Sequence, residues 1–154
     1  MRLLLAGPIT ASIIAFWATS ANAADCTPSA HAVDDAWAAL RNAYAAAQSL
    51  DEAGWHNSIT PDFYAYDGGH RFDGNGMFAI VKSARAAGKT YQWTISEPDA
   101  HATCGWVWVA YVNHGSVTSS AGTKQLTWLE SAVLRDDAGK WKIAFLHSTR
   151  VPAN

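Results

Sequence analysis

Apolar positions along this chain change period once, near Gly88. Before it, they recur at helical spacing in three stretches; after it, they alternate. Val33, Trp37, Leu40 and Tyr44 repeat every three to four residues within Ala30 to Leu50, with alanines between them, and this spacing predicts a first helix. Asp51 is placed to cap a short second helix running through Trp55 to about Ile59, with Pro61 ending it. Asp62 to Tyr66 reads as a short strand, followed by a turn at Asp67-Gly68-Gly69. Asp73 then caps a third helix, Gly74 to Ala87, which Gly88 terminates.

The remainder predicts strands. Tyr91, Trp93 and Ile95 alternate with polar residues between Thr90 and Ser96, and Glu97-Pro98-Asp99 reads as a turn. Thr103 to Val112 is apolar at odd and even positions alike, as in a strand covered on both faces. Asn113 to Gly122 is polar and rich in Gly and Ser, so it is expected to be a loop. Gln125 to Leu134 and the segment from Gly139 to Pro152 then form a hairpin across Arg135 to Lys140. Helix, helix, strand, helix and four antiparallel strands make an α+β plan in which one curved sheet wraps over the helices. The space between the helices and the concave face is the expected pocket. No internal repeat or linker divides the chain.

The first residues carry a different signal. Arg2 precedes a mostly apolar run from Leu3 to Trp17, and Ala21-Asn22-Ala23 has the form of a signal-peptide cleavage site. The expectation is a signal peptide over residues 1–23 and a single domain over residues 24–154, soluble in the periplasm or outside the cell and free of the membrane after cleavage. A formal charge of −2 with no basic stripe argues against nucleic-acid binding. Eight tryptophans in 154 residues suggest a large apolar core or an aromatic-lined pocket. Cys26 and Cys104 lack metal-site spacing. In an oxidising compartment they read as one disulfide, the alternative being two separate buried thiols. The six histidines fall in no metal-binding spacing, and nucleophile-elbow, phosphate-loop and dinucleotide motifs are missing, so neither a metal nor a cofactor is expected.

Three segments carry a resemblance: Ala38 to Tyr44 (AALRNAY), Thr60 to Asp67 (TPDFYAYD) and Glu130 to His147 (ESAVLRDDAGKWKIAFLH). In order and spacing the chain resembles the SnoaL-like branch of the nuclear transport factor 2-like superfamily across nearly its whole mature length. The resemblance implies a cone-shaped fold, often dimeric, whose members include isomerases, cyclases, hydrolases, ligand binders and assembly domains. Fold alone therefore leaves function open. Asp67 matches the position of the catalytic base in ketosteroid-isomerase-like members, where a buried carboxylate can shuttle a proton. Those members carry a Tyr on the first helix. Here Arg41 stands at that place, with Tyr44 one turn later. Their second acid corresponds to Ser131 or its neighbour Glu130, and a slip of one residue in the closing hairpin decides which faces inward.

Further candidates come from the residues themselves. Glu130 interrupts an apolar strand and is either a perturbed buried acid or a solvated one. In one register His147 lies across from Trp128 while Arg150 shares the face of Ser148, and an Arg there would suit a carboxylate ligand. Tyr64, Tyr66, Trp93, Trp106, Trp108 and Trp128 are candidate pocket walls, with ordinary core packing as the alternative for each. The leading reading is a domain holding a small, largely apolar molecule in its cone. The alternatives are an enzyme using Asp67, assisted by Glu130 or Tyr44, and a homo-oligomerisation domain.

Overall fold

The structure, a computed structural model, describes residues 26–152. The expected signal peptide lies outside the described residues. Three helices, α1 (Ala32–Ser49), α2 (Glu52–Ser58) and α3 (Gly74–Ala86), lie against one six-stranded sheet. Its strands are β1 (Ile59–Asp67), β2 (His70–Asp73), β3 (Thr90–Thr103), β4 (Trp106–Ser119), β5 (Gly122–Asp137) and β6 (Lys140–Arg150). In space they run β2-β1-β6-β5-β4-β3. All neighbours are antiparallel except β1 and β6, which run parallel, so the sheet is mixed and unclosed.

The helices start where capping chemistry places them. The Asp51 side chain accepts from the Gly54 amide and Asp73 from the Gly76 amide, each satisfying a donor left free in a first turn. α1 ends at Leu50 in the left-handed conformation, and the chain turns directly into α2. The seam of α1 is narrower than the aromatic stripe suggests. Ala36, Leu40, Ala43 and Ala47 are its buried line, whereas Val33, Trp37 and Tyr44 flank it half-buried. Small side chains on that line let the helix axis approach the sheet closely. Leu40, Leu134, Ile143, Val107 and Val109 fill the interface and are all but inaccessible to solvent.

The sheet departs from expectation at several places. β2 is an additional short strand, built by a tight turn at Gly68 and Gly69, both at positive φ (56° and 81°). Pro61 does not stop α2. It lies inside β1, in the stretch where pairing with β6 shifts register, and there its missing N–H costs no ladder bond. Glu97 to Asp99 is a bulge in a continuous β3, with Glu97 at φ 56°, and not a turn. The polar run from Asn113 to Ser119 is the second half of β4, paired on both edges, so backbone hydrogen bonding outweighs its loop-like composition. β4 is covered on one face only: Val107, Val109 and Tyr111 are buried, while Trp106 and Trp108 are 41% and 44% exposed.

A disulfide joins Cys26 to Cys104 with their Cα atoms 5.5 Å apart, as the even cysteine count suggests. It ties the first described residue to the tight turn between β3 and β4. Closing a loop of 78 residues is worth about 4 kcal/mol in the chain-entropy account.

Candidate functional site

Glu130 stands at the centre of the concave face. β5 alternates so that Glu130, Ala132 and Leu134 point inward. On β6, Ala144 is an extra residue where the pairing moves from Leu134 with Ile143 to Val133 with Phe145. That bulge resets the alternation. Leu146 and Ser148 face the core, and Ser148 comes directly opposite Glu130.

Three donors converge on the Glu130 carboxylate. The Tyr44 hydroxyl donates to Oε2 at 2.6 Å, Asn113 Nδ2 to the same oxygen at 3.1 Å, and Ser148 Oγ to Oε1 at 2.8 Å. Tyr111 lies 3.1 Å from Tyr44, hydroxyl to hydroxyl, and is the donor of that pair, because the Tyr44 proton is directed at Glu130. One carboxylate thereby links α1 to β4, β5 and β6. Glu130 is only 8% exposed, and this burial raises its carboxyl above the ordinary value; the hydrogen bonds from Tyr44, Ser148 and Asn113 oppose the shift without cancelling it. Burial, reinforced by the neighbouring Glu130 charge, also pushes both tyrosine hydroxyls well above their usual range. Asn113 Oδ1 is buried and finds no partner among the described residues.

This network forms one side of a cavity of about 260 Å³ between the helices and the sheet. Trp93 and Tyr91 on β3 and Trp128 on β5 supply aromatic wall, with Trp55 and Phe78 from α2 and α3 across from them. Gly115 makes room for two of these rings. A Cβ there would lie 2.8 Å from the Trp128 ring, 3.1 Å from Trp93 and 2.6 Å from the Gln92 carbonyl. Two further charged residues border the space, half-buried Asp67 and exposed Arg150. Asp67 is the last residue of β1, fixed by the Gly68-Gly69 turn and paired in register with Ser148. Desolvation raises its carboxyl, while the Gly68 amide and the His147 ring act in the opposite direction.

Of the residues singled out from the sequence, Tyr44, Asp67, Trp93, Trp128, Glu130, Ser148 and Arg150 meet around the cavity. The open choice between Glu130 and Ser131 resolves to Glu130, with Ser131 on the other face opposite His147. Tyr64, Tyr66, Trp106, Trp108 and His147 do not line the cavity. They lie on the convex face, where Tyr66 meets Phe145 and His147 edge-on and Trp108 stacks on His101. The Ala144 bulge explains His147: strict alternation from Ile143 would have carried it inside. Trp128 faces Arg150, not His147. Arg41 is exposed and sits over the Trp37 ring, 5.9 Å from its centroid, away from the cavity. Asn113 and Tyr111 were missed. Their signal was the odd-numbered phase of Val107 and Val109, which continues unbroken into the supposed loop.

No family model matches the sequence, and no curated protein matches it. Solved structures do. A ketosteroid isomerase-like protein from Erwinia carotovora atroseptica superimposes with a TM-score of 0.64 at 17% identity, covering 79% of this chain and 97% of that one. An NTF2-like protein from Cytophaga hutchinsonii gives 0.66 at 15% identity, over 77% and 97%. The S. rosetta CaMKII hub gives 0.67 at 15%, over 77% and 96%. At such identities the likeness shows the fold, and the fold is the nuclear transport factor 2-like cone.

The raised Glu130 carboxyl has a sign that can be measured. Its contribution to stability is complete below the ordinary carboxylate value of 4.5 and is lost as pH rises through the higher folded value. Wild-type protein should therefore lose stability relative to Glu130→Gln as pH is raised from about 4.5 to neutrality, read by denaturant unfolding at each pH. A relative gain over that range would mean that the hydrogen bonds outweigh desolvation. Tyr44→Phe, which removes one donor from a buried carboxylate, should cost about 1–3 kcal/mol at neutral pH.

Proposed function

We propose that this chain, a domain with the nuclear transport factor 2-like cone fold, is a secreted binding protein that holds a small, largely apolar molecule between its helices and the concave face of its sheet. One observation carries the reading: an aromatic-walled cavity of about 260 Å³ whose polar groups are gathered at one side. Secretion rests on the leader-like N-terminus, and the Cys26–Cys104 bridge suits an oxidising compartment.

A second reading is an enzyme of isomerase, cyclase or hydrolase type with Asp67 as general acid or base. It draws on the half-buried place of Asp67 at the cavity wall and on the desolvation that raises its carboxyl above the ordinary value. Against it stands the commitment of Tyr44 to Glu130, which leaves that hydroxyl without a proton for a developing oxyanion. An Asp67→Asn protein that still binds its ligand while turnover stops would establish the enzyme. Unchanged turnover would dismiss it.

The binding reading is tested with the neutral fluorophore N-phenyl-1-naphthylamine. Wild-type protein should bind it at micromolar concentration with a blue-shifted emission. Ile80→Trp, on a partly exposed position of the cavity wall, should weaken binding about tenfold or more without lowering the melting temperature. Equal binding by both proteins would place the fluorophore elsewhere.

The convex face supports a further part of the proposal, that two copies pair through their sheets. Leu129, Trp108, Trp106 and Tyr66 are each more than 40% exposed and share this face, a concentration of apolar surface that favours coverage. Sedimentation velocity should show a dimer for wild-type protein and a monomer for Leu129→Lys. A wild-type monomer at tens of micromolar protein would contradict the pairing.

A further inference from the structure

The polar side of the cavity is short of free donors. There the O–H and N–H groups of Tyr44, Ser148 and Asn113 are all directed at Glu130. What remains for a guest beside Glu130 and Asp67 is mainly acceptor. Asn113 Oδ1 is buried and unpartnered; Glu130 Oε1 receives only Ser148; and no side chain among the described residues donates to Asp67. The orientation of the Asn113 amide follows from the same chemistry, because a carboxylate accepts and the amide must turn its NH₂ toward it.

Charge points the same way. Two carboxylates, Asp67 and Glu130, border the space against one cation, Arg150. Arg150 is exposed at the end of β6, whereas Glu130 is buried and Asp67 half-buried, so solvent screens the Arg more than the acids. The adjoining wall is aromatic. Trp93 stacks on Tyr91 with centroids 5.1 Å apart, and Trp128 lies across Gly115 from Trp93. The negative faces of such rings favour a cation.

Resting on the binding reading above, we infer that the molecule held in the cone is a small aromatic or aliphatic amine, bound as its ammonium ion with the charge directed at Asp67 and the apolar body against Trp93 and Trp128. The ammonium carries only donors and so matches the acceptors left at Asp67, Asn113 Oδ1 and Glu130 Oε1. A carboxylate guest would meet two like charges, and a neutral alcohol would leave the Asp67 charge unpaired. The apolar body replaces water against the cavity-facing surfaces of these rings.

Three probes with one ring system separate these cases by titration calorimetry: tryptamine, tryptophol and indole-3-propionate. Tryptamine should bind about tenfold or more tightly than tryptophol, with indole-3-propionate weakest of the three. In Asp67→Asn, checked for an unchanged melting temperature, the tryptamine-to-tryptophol ratio should fall to about twofold or less, because the charge is gone and the shape remains. Tryptophol or indole-3-propionate binding as tightly as tryptamine would overturn the amine and leave the apolar-binding reading standing. A tryptamine preference that survives in Asp67→Asn would overturn it as well. Failure of all three to bind at millimolar concentration would overturn both.

Discussion

A buried carboxylate that must be satisfied organises this molecule. Placing Glu130 on the concave face removes a charged group from water, and an unpaired carboxylate there would cost several kcal/mol. The surrounding structure answers with a hydroxyl from α1, an amide from β4 and a hydroxyl from β6, each directed at the same group. Meeting those geometries together fixes the height of α1 over the sheet, the pairing of β4 with β5 and the position of the β6 bulge. The apolar packing of Leu40, Leu134 and Ile143 would tolerate small slides of the helix; the hydrogen bonds to Glu130 would not.

The same commitment shapes the cavity chemically. Drawing the Tyr44, Asn113 and Ser148 donors to one carboxylate leaves an acceptor-rich pole beside a wall of indole and phenyl rings. The opening itself depends on small residues as much as on large ones. Alanines at 43 and 47 set the floor along α1, and Gly115 allows the Trp93 and Trp128 rings to sit closely against β4. Polarity is thus separated from apolar surface within a few ångströms, the arrangement expected of a site that orients a small guest.

Much of the fold was legible in the sequence because its signals are local. Asp51 and Asp73 announce helix starts through their own side chains, and Gly88 and Gly139 mark turns by the backbone conformations they allow. What escaped depends on long-range pairing. The second half of β4 looks like a loop in composition and becomes a strand because β3 and β5 flank it. The closing strand looks regular, yet Ala144 bulges and turns His147 outward, a displacement set by its neighbours. The aromatic residues show the same limit. Trp93 and Trp128 line the cavity while Trp106 and Trp108 face outward, and their side-chain chemistry is identical. Only the phase of each strand relative to α1 distinguishes them. Glu130 could be singled out as an acid within an apolar strand, but the loop-like composition of the second half of β4 hid the continuing alternation that brings its partner Asn113 inward.

That distinction among tryptophans offers the most direct measurement. Each indole N–H gives its own resonance in a proton–nitrogen correlation spectrum, and adding a neutral apolar ligand such as N-phenyl-1-naphthylamine perturbs those beside it. If the cone is the binding site, the Trp93 and Trp128 resonances shift together and saturably, while Trp106 and Trp108 on the convex face stay in place. Shifts confined to Trp106 and Trp108 would contradict the account, because the ligand would then be lying on the outside of the sheet.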